Sequence, residues 1–199
     1  MISLMNRNSK FLLLFVLFCQ GCSQSIVVNT VIPDPLVSKI KNYNIAVVYG
    51  PDIQNFQFED TDIEPSDITL SIDFQDSQMI TFSRILNGFF SNLTTLDSSN
   101  NEIITGINLY LEIKLETIEY LSPIQSGSEK HAIWFNYKIN IFDHTRTPIT
   151  SWNITGYGED TIGSLKTTQS LEKAIDSGLR DVGVNLSMKI EDDFKKLIE

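Results

Sequence analysis

Between residues 107 and 158 the chain alternates apolar and polar side chains over three successive stretches, and a period of two restricts those stretches to β-strands. In the first stretch Ile107, Leu109, Leu111, Ile113 and Leu115 interleave with Asn108, Tyr110, Glu112, Lys114 and Glu116. The apolar phase then slips to Ile118 and Tyr120, as one extra residue in a β-bulge would make it. Ile133, Phe135, Tyr137, Ile139 and Ile141 form the second stretch, and ITSWNITGYG, from Ile149 to Gly158, the third. Ser126-Gly127-Ser128 and the segment from Asp143 to Pro148 supply the turns, so these neighbours are expected to pair antiparallel. Each such strand has one apolar face that another layer must cover.

Two helical stripes are available to cover it. Met79, Phe82, Leu86, Phe89, Phe90 and Leu93 recur every three or four residues, with Asp76 or Ser77 as the expected N-cap and a polar cluster from Asp97 to Asn101 as the stop. From about Leu165, a second stripe runs through Leu171, Ile175, Leu179, Val182, Leu186, Ile190, Phe194 and Leu197. Gly178 and Gly183 would weaken this helix by up to about 1 kcal/mol each, a cost usually accepted where a helix must approach a sheet closely. Upstream, Asn44–Gly50 reads as a buried strand, 52–66 as an acidic loop, and Ile68–Phe74 as a further period-2 strand. The expected fold is α+β: an antiparallel sheet with two amphipathic helices packed on one face, in the order β-β-α-β-β-β-α.

The N-terminus has a different character. Arg7 and Lys10 precede an unbroken apolar run from Phe11 to Phe18, and Cys19, Gln20 and Gly21 lead to Cys22, with no acidic residue before Asp34. A basic flank, a short apolar core and a small residue at a boundary are the parts of an export signal. The run is less than half the roughly 20 residues that a spanning helix needs. Residues 1–21 are therefore read as a signal peptide, 22–43 as a tether or edge strand ending around Pro33-Asp34-Pro35, and 44–199 as one periplasmic domain.

Charge and cysteine content narrow the function. Fifteen basic residues against twenty-five acidic ones give a formal charge of −10, the wrong sign for a nucleic-acid footprint. Once residues 1–21 are removed, thirteen basic residues remain against the same twenty-five acidic ones, a side-chain charge of −12. Cys22 would then be the last cysteine, which excludes an intrachain disulfide, a thiolate metal site and a cysteine nucleophile in the mature chain.

Candidate chemistry is sparse. His131 and His144 have no partner at metal-ligand spacing and read as exposed loop histidines. Asp60, Asp62 and Glu64 alternate like the start of a calcium loop, but Pro65 stands where that loop needs glycine, and Ser71 where it needs its closing Glu. These three are weak metal candidates and the segment reads first as a solvated acidic loop. Gly156-Tyr157-Gly158 lacks a third glycine and follows a hairpin, so no phosphate loop is expected there. Trp134 and Trp152, on neighbouring strands, would mark a binding surface if both faced solvent. Neither a catalytic constellation nor a cofactor motif is present, and no enzyme activity is expected.

Gly21-Cys22 at the end of the apolar run resembles the bacterial lipoprotein signal, in which the cysteine is acylated and becomes the mature N-terminus; Cys19 stands where that signal usually has Leu. The resemblance implies lipidation at Cys22, and Ser23 in place of Asp implies outer-membrane sorting. It also makes chance matches of Asn92-Leu-Thr94, Asn153-Ile-Thr155 and Asn185-Leu-Ser187 to the glycosylation pattern. The segment Trp152-Asn-Ile-Thr-Gly156, followed by the helix from Leu171 to Ile190, is similar to the YajG-type family of small bacterial outer-membrane lipoproteins. That resemblance implies place and fold and carries no active site. The plan is also similar to auxiliary lipoproteins of envelope ABC transporters. The function expected is a non-enzymatic assembly or interaction module, held to the membrane by lipid and meeting an envelope protein partner. A carrier or accessory subunit that holds an apolar ligand between sheet and helices is the alternative, and a small hydrolase ranks below both.

Overall fold

The three alternating stretches become strands β6 (Leu109–Leu121), β7 (Lys130–Asp143) and β8 (Pro148–Thr161) in the computed structural model, which describes residues 23–28, 30–54, 58–60, 69–96, 103–162, 167–194 and 196. They precede and follow a short turn α3 (Pro123–Ser126). The other elements, in chain order, are β1 (Ser23–Val27), β2 (Ile40–Tyr49), α1 (Pro51–Gln54), β3 (Phe58–Asp60), β4 (Thr69–Asp73), α2 (Gln75–Phe89), β5 (Phe90–Leu96) and α4 (Thr167–Lys189). The α+β plan with helices packed on a sheet is what the patterning predicts.

The expected bulge lies in β6. Its pairing with β7 jumps from Leu115 opposite Tyr137 to Thr117 opposite Asn136, leaving Glu116 as the extra residue. The slip returns Ile118 and Tyr120 to the face that carries Leu111 and Ile113, so all four meet one core. The following hairpin is built by Asp143, whose Oδ1 accepts from Thr145 N (2.8 Å), Thr145 Oγ1 (2.7 Å) and Thr147 N (2.9 Å) while Arg146 adopts φ 62°. These bonds hold the Asp143 carboxyl below the usual range, the Thr145 hydroxyl first.

The main sheet has the order β5-β2-β6-β7-β8. β6, β7 and β8 are antiparallel as expected, whereas β2 runs parallel to both β5 and β6. For the β2–β5 pair the physical reason is the crossover that contains α2: it carries the chain back to the end of the sheet at which β2 begins, and the next strand then runs parallel. β2 is the strand most enclosed, with Ile45, Ala46, Val47, Val48 and Tyr49 all buried, as its uninterrupted apolar run predicts. A smaller sheet, β1-β4-β3, pairs β1 with β4 in parallel and β3 with β4 antiparallel.

β5 was expected to be helix. The stripe through Phe90 and Leu93 continues past Phe89 in spacing only, because α2 ends there and the chain enters β5 with no intervening loop. Leu93 still packs against the core, but from a strand position opposite Ile45. Thr94 and Thr95 are stiff at χ1 and favour the pleated surface. The N-cap also differs: the cap residue is Phe74, and Asp73 Oδ1 accepts from Gln75 N (3.2 Å). Ser77 is instead buried and holds the N-terminal segment, donating to Val28 O (2.5 Å) and accepting from Thr30 N (3.1 Å).

Helices α2 and α4 share one face of the sheet. Leu171, Ile175, Leu179, Val182, Leu186, Ile190 and Phe194 all lie in the main core; Leu197 lies outside the described residues. Steps of four residues drift around a helix of 3.6 residues per turn, and a π-helical turn at Ile190–Phe194 corrects the drift. It brings Phe194 edge-on to Phe90 (4.8 Å) and Tyr43 (5.7 Å). At the other end of the interface the helix touches the sheet backbone to backbone. A Cβ on Gly158 would fall 1.9 Å from Ala174 O and 2.4 Å from Gly178 N, and one on Gly156 would fall 2.4 Å from Gly178 O.

Candidate interaction surfaces

The segment after β1 is bound along α2. Val28 and Ile32 insert into the core, Arg84 Nη1 donates to Ile32 O (3.1 Å), and the Pro35 ring occupies the place where Gly88 would carry a side chain. The Arg84–Asp34 ion pair at 3.7 Å is exposed and adds little. Ser23, where β1 begins, directly follows Cys22, which itself lies outside the described residues.

This segment and α4 form the walls of a groove of about 410 Å³ above Ile85 of α2. Ile32, Pro33, Pro35, Val184 and Met188 give it an apolar lining, and the exposed Asp34, Arg180 and Glu191 also border it. Val184 and Met188 are each more than half exposed, as is Val31 beside Ile32. The sequence marks these residues weakly: Val184 and Met188 fall off the apolar stripe of α4, on the side the stripe argument leaves to solvent.

A second surface lies on the outer face of the sheet. Trp134 and Tyr157 sit opposite one another in the β7–β8 register, ring centroids 4.9 Å apart, each about two-fifths exposed. Tyr157 Oη donates to Glu159 Oε2 (2.6 Å) and Lys130 Nζ pairs with Glu159 Oε1 (2.7 Å). The lysine, then the phenol, hold the Glu159 carboxyl below its ordinary range, and the carboxylate pushes the Tyr157 phenol up. The two tryptophans do not form one surface, because Trp152 is buried in the core. Phase explains the split: Trp134 alternates with the inward Ile133 and Phe135, whereas Trp152 is in phase with Ile154.

The predicted chemical candidates are not brought together. His144 is exposed in the β7–β8 turn as expected, but His131 is not a loop residue. It is 3% exposed on β7, with Nδ1 hydrogen-bonded to Tyr120 Oη at 2.6 Å and the rings stacked. His131 shares the phase of Ile133, which turns it to the helix-covered side, and that phase was the available signal. Asp60 closes β3, while Asp62 and Glu64 lie outside the described residues. Among the described residues no three His, Cys, Asp or Glu side chains gather as a metal site. Nor is any described helix long and apolar enough to cross a membrane. Of the three matches to the glycosylation pattern, Asn92 Nδ2 donates to Asn44 Oδ1 (2.8 Å) and Asn185 Nδ2 to Thr155 O (2.9 Å).

The space between sheet and helices is occupied by side chains, among them Phe74, Phe82, Phe135 and Tyr137 packed edge-on or stacked. Tyr137 Oη donates to Gln78 Oε1 (2.7 Å) inside this layer, and burial pushes its phenol well up.

No protein-family model matches the chain, and no curated protein matches it in sequence. Solved structures do share its fold. A Xanthomonas campestris protein of the DUF330 family superposes with a TM-score of 0.60 at 9% identity, over 88% of this chain and 100% of that one. A neuraminyllactose-binding hemagglutinin homolog from Helicobacter pylori superposes with a TM-score of 0.51 at 16% identity, over 85% of this chain and 96% of that one. Bacterial lipoproteins occur among the more distant similarities, such as rare lipoprotein B from Shewanella oneidensis, with a TM-score of 0.43, 10% identity and coverage of 78% of this chain and 100% of that one. At such identities the likeness is one of fold.

Proposed function

We propose that the chain is a lipid-anchored envelope lipoprotein, acylated at Cys22, sorted to the outer membrane and facing the periplasm, where it acts as a non-enzymatic assembly or interaction module. One observation carries the reading: the signal-like run ends at Cys22, and the chain enters β1 at the next residue. Burial of acyl chains contributes about 0.8 kcal/mol per methylene, and two or more chains hold a protein stably on a bilayer. With no free tether before β1, the body sits against the membrane that holds its anchor, and its groove and aromatic pair meet partners confined to that layer. The YajG-type resemblance belongs to this reading, and Gly156 at the end of its motif is where α4 packs down on β8.

The apolar-ligand alternative draws support from the groove beside Pro35 and Met188, outside the layer of packed side chains between sheet and helices. The test of the anchor is metabolic acyl labelling of the full chain with and without globomycin, beside Cys22→Ala. Label on the unsubstituted chain, none on Cys22→Ala, and accumulation of the precursor under globomycin are expected. Equal processing in all cases with no label refutes the anchor. Crosslinking in the native envelope then separates a protein partner from a small apolar ligand.

A further inference from the structure

The two edges of the main sheet are treated differently. On β8, α4 covers the outer edge: Asp181 Oδ2 accepts from Tyr157 N (2.9 Å) and Asn185 Nδ2 donates to Thr155 O (2.9 Å), so edge backbone groups are spent within the chain. On β5, no described residue hydrogen-bonds to the outer edge. The strand is Phe90-Ser-Asn-Leu-Thr-Thr-Leu96, seven residues with no charge and no proline, and Ser91, Asn92, Thr94 and Thr95 are exposed. Natural sheets protect open edges with lysine, proline, a bulge or a covering element. β5 itself has neither lysine nor proline, the irregularity in its pairing with β2 lies on the β2 side, between Ile40 and Asn44, and no described residue covers the strand, in a chain that carries twenty-five acidic side chains.

We infer that β5 is a pairing edge for a second copy of this chain, joined antiparallel about Leu93 into a continuous ten-stranded sheet. In that register Leu93 faces its own counterpart, Asn92 faces Thr94 and Ser91 faces Thr95, so no like charges oppose one another. The strand carries no charge that would select a foreign partner, whereas the edge is complementary to itself under a two-fold axis. The axis of an antiparallel pair stands perpendicular to the sheet, which keeps the helix layers of both copies on one side. β1 belongs to that side: Phe74, which follows β4, packs edge-on against Phe135 at 5.7 Å, and Val28 joins the same core. Both copies therefore present β1 in one direction, as two anchors in one leaflet require. This last argument rests on the proposed anchor; the pairing itself does not.

The test uses the full chain in detergent micelles and in native membranes. Thr94 and its counterpart are diagonal neighbours in this register, about 7–8 Å apart. A short bismaleimide should therefore join Thr94→Cys into a dimer, above the background of the unsubstituted chain with its own cysteines, and should not join Ser151→Cys on β8. By sedimentation, the double substitution Thr94→Lys with Thr95→Lys should halve the protein mass in the complex while circular dichroism and melting stay unchanged. A monomeric unsubstituted chain, a dimer that survives both lysines, or a Thr94→Cys adduct with a different protein would each overturn the inference. A dimer that persists in Cys22→Ala supports the pairing even if the anchor fails.

Discussion

Replacing Gly158 by alanine tests the contact on which the two-layer packing depends. The added Cβ would lie 1.9 Å from Ala174 O, 2.4 Å from Gly178 N and 2.9 Å from Gly178 Cα, distances real Cβ atoms essentially never show. All three obstacles are backbone, so no rotamer change relieves them, and α4 must move off β8 by at least about 1 Å. Moving it opens the layer that Ala174, Ile175, Leu179 and Val182 fill. Overpacking a core costs about 1–3 kcal/mol, and a clash against helix backbone belongs at or above the upper end. With a urea slope of about 2 kcal/mol per M, a loss of about 3 kcal/mol lowers the midpoint by roughly 1.5 M. Gly183 in the same helix supplies the contrast, because its Cβ would meet Ile85 at 3.5 Å, an ordinary contact. Gly183→Ala should therefore recover helix propensity, about 1 kcal/mol, and raise the midpoint by roughly 0.5 M. Urea melts followed by far-UV circular dichroism give both values. A Gly158→Ala midpoint within roughly 0.3 M of the unsubstituted chain would refute the argument, as would a destabilising Gly183→Ala.

The two tryptophans should separate in stability and in light. Trp152→Ala removes a side chain 3% exposed and should cost about 3–5 kcal/mol, whereas Trp134→Ala, 40% exposed, should cost far less; iodide should quench the emission that Trp134→Phe removes and spare that of Trp152. Alkali should unfold the protein through Tyr137. Its folded pKa is raised by burial, so the stability it contributes is complete below the unfolded value of about 10 and is lost as pH rises beyond it. Urea midpoints measured from pH 8 to 11 should fall on the alkaline side, and Tyr137→Phe should flatten part of that fall. An alkaline limb identical in Tyr137→Phe would remove Tyr137 as its cause.

Much of the framework is legible in the sequence. The bulge at Glu116 was visible as a slip of phase between Leu115 and Ile118, and the stripe from Leu171 to Phe194 was visible as helical spacing. Both are properties of nearest neighbours along one element, which sequence order contains. The site was less legible, because its groove joins Pro33 and Pro35 to Val184 and Met188, some 150 residues further along, and no local pattern couples such positions. The place of His131 beside a turn suggests exposure, while its phase with Ile133 points inward, and the phase prevails.

By itself, then, the sequence determined which residues alternate, which face of each long strand is apolar and which stripe of each helix must be buried, since side-chain direction follows from backbone period alone. It also carried the signal-like run that leads to Cys22. Only the tertiary structure decided that β2 runs parallel to its neighbours, that Leu93 reaches the core from a strand, and that α4 seals the β8 edge while no described residue seals β5. These outcomes depend on what lies across the fold. Leu93 satisfies helix and strand spacing equally, and the available edge of β2 selects the strand. Gly156 and Gly158 look like weak points within β8, and they are what lets a helix backbone rest directly on the sheet.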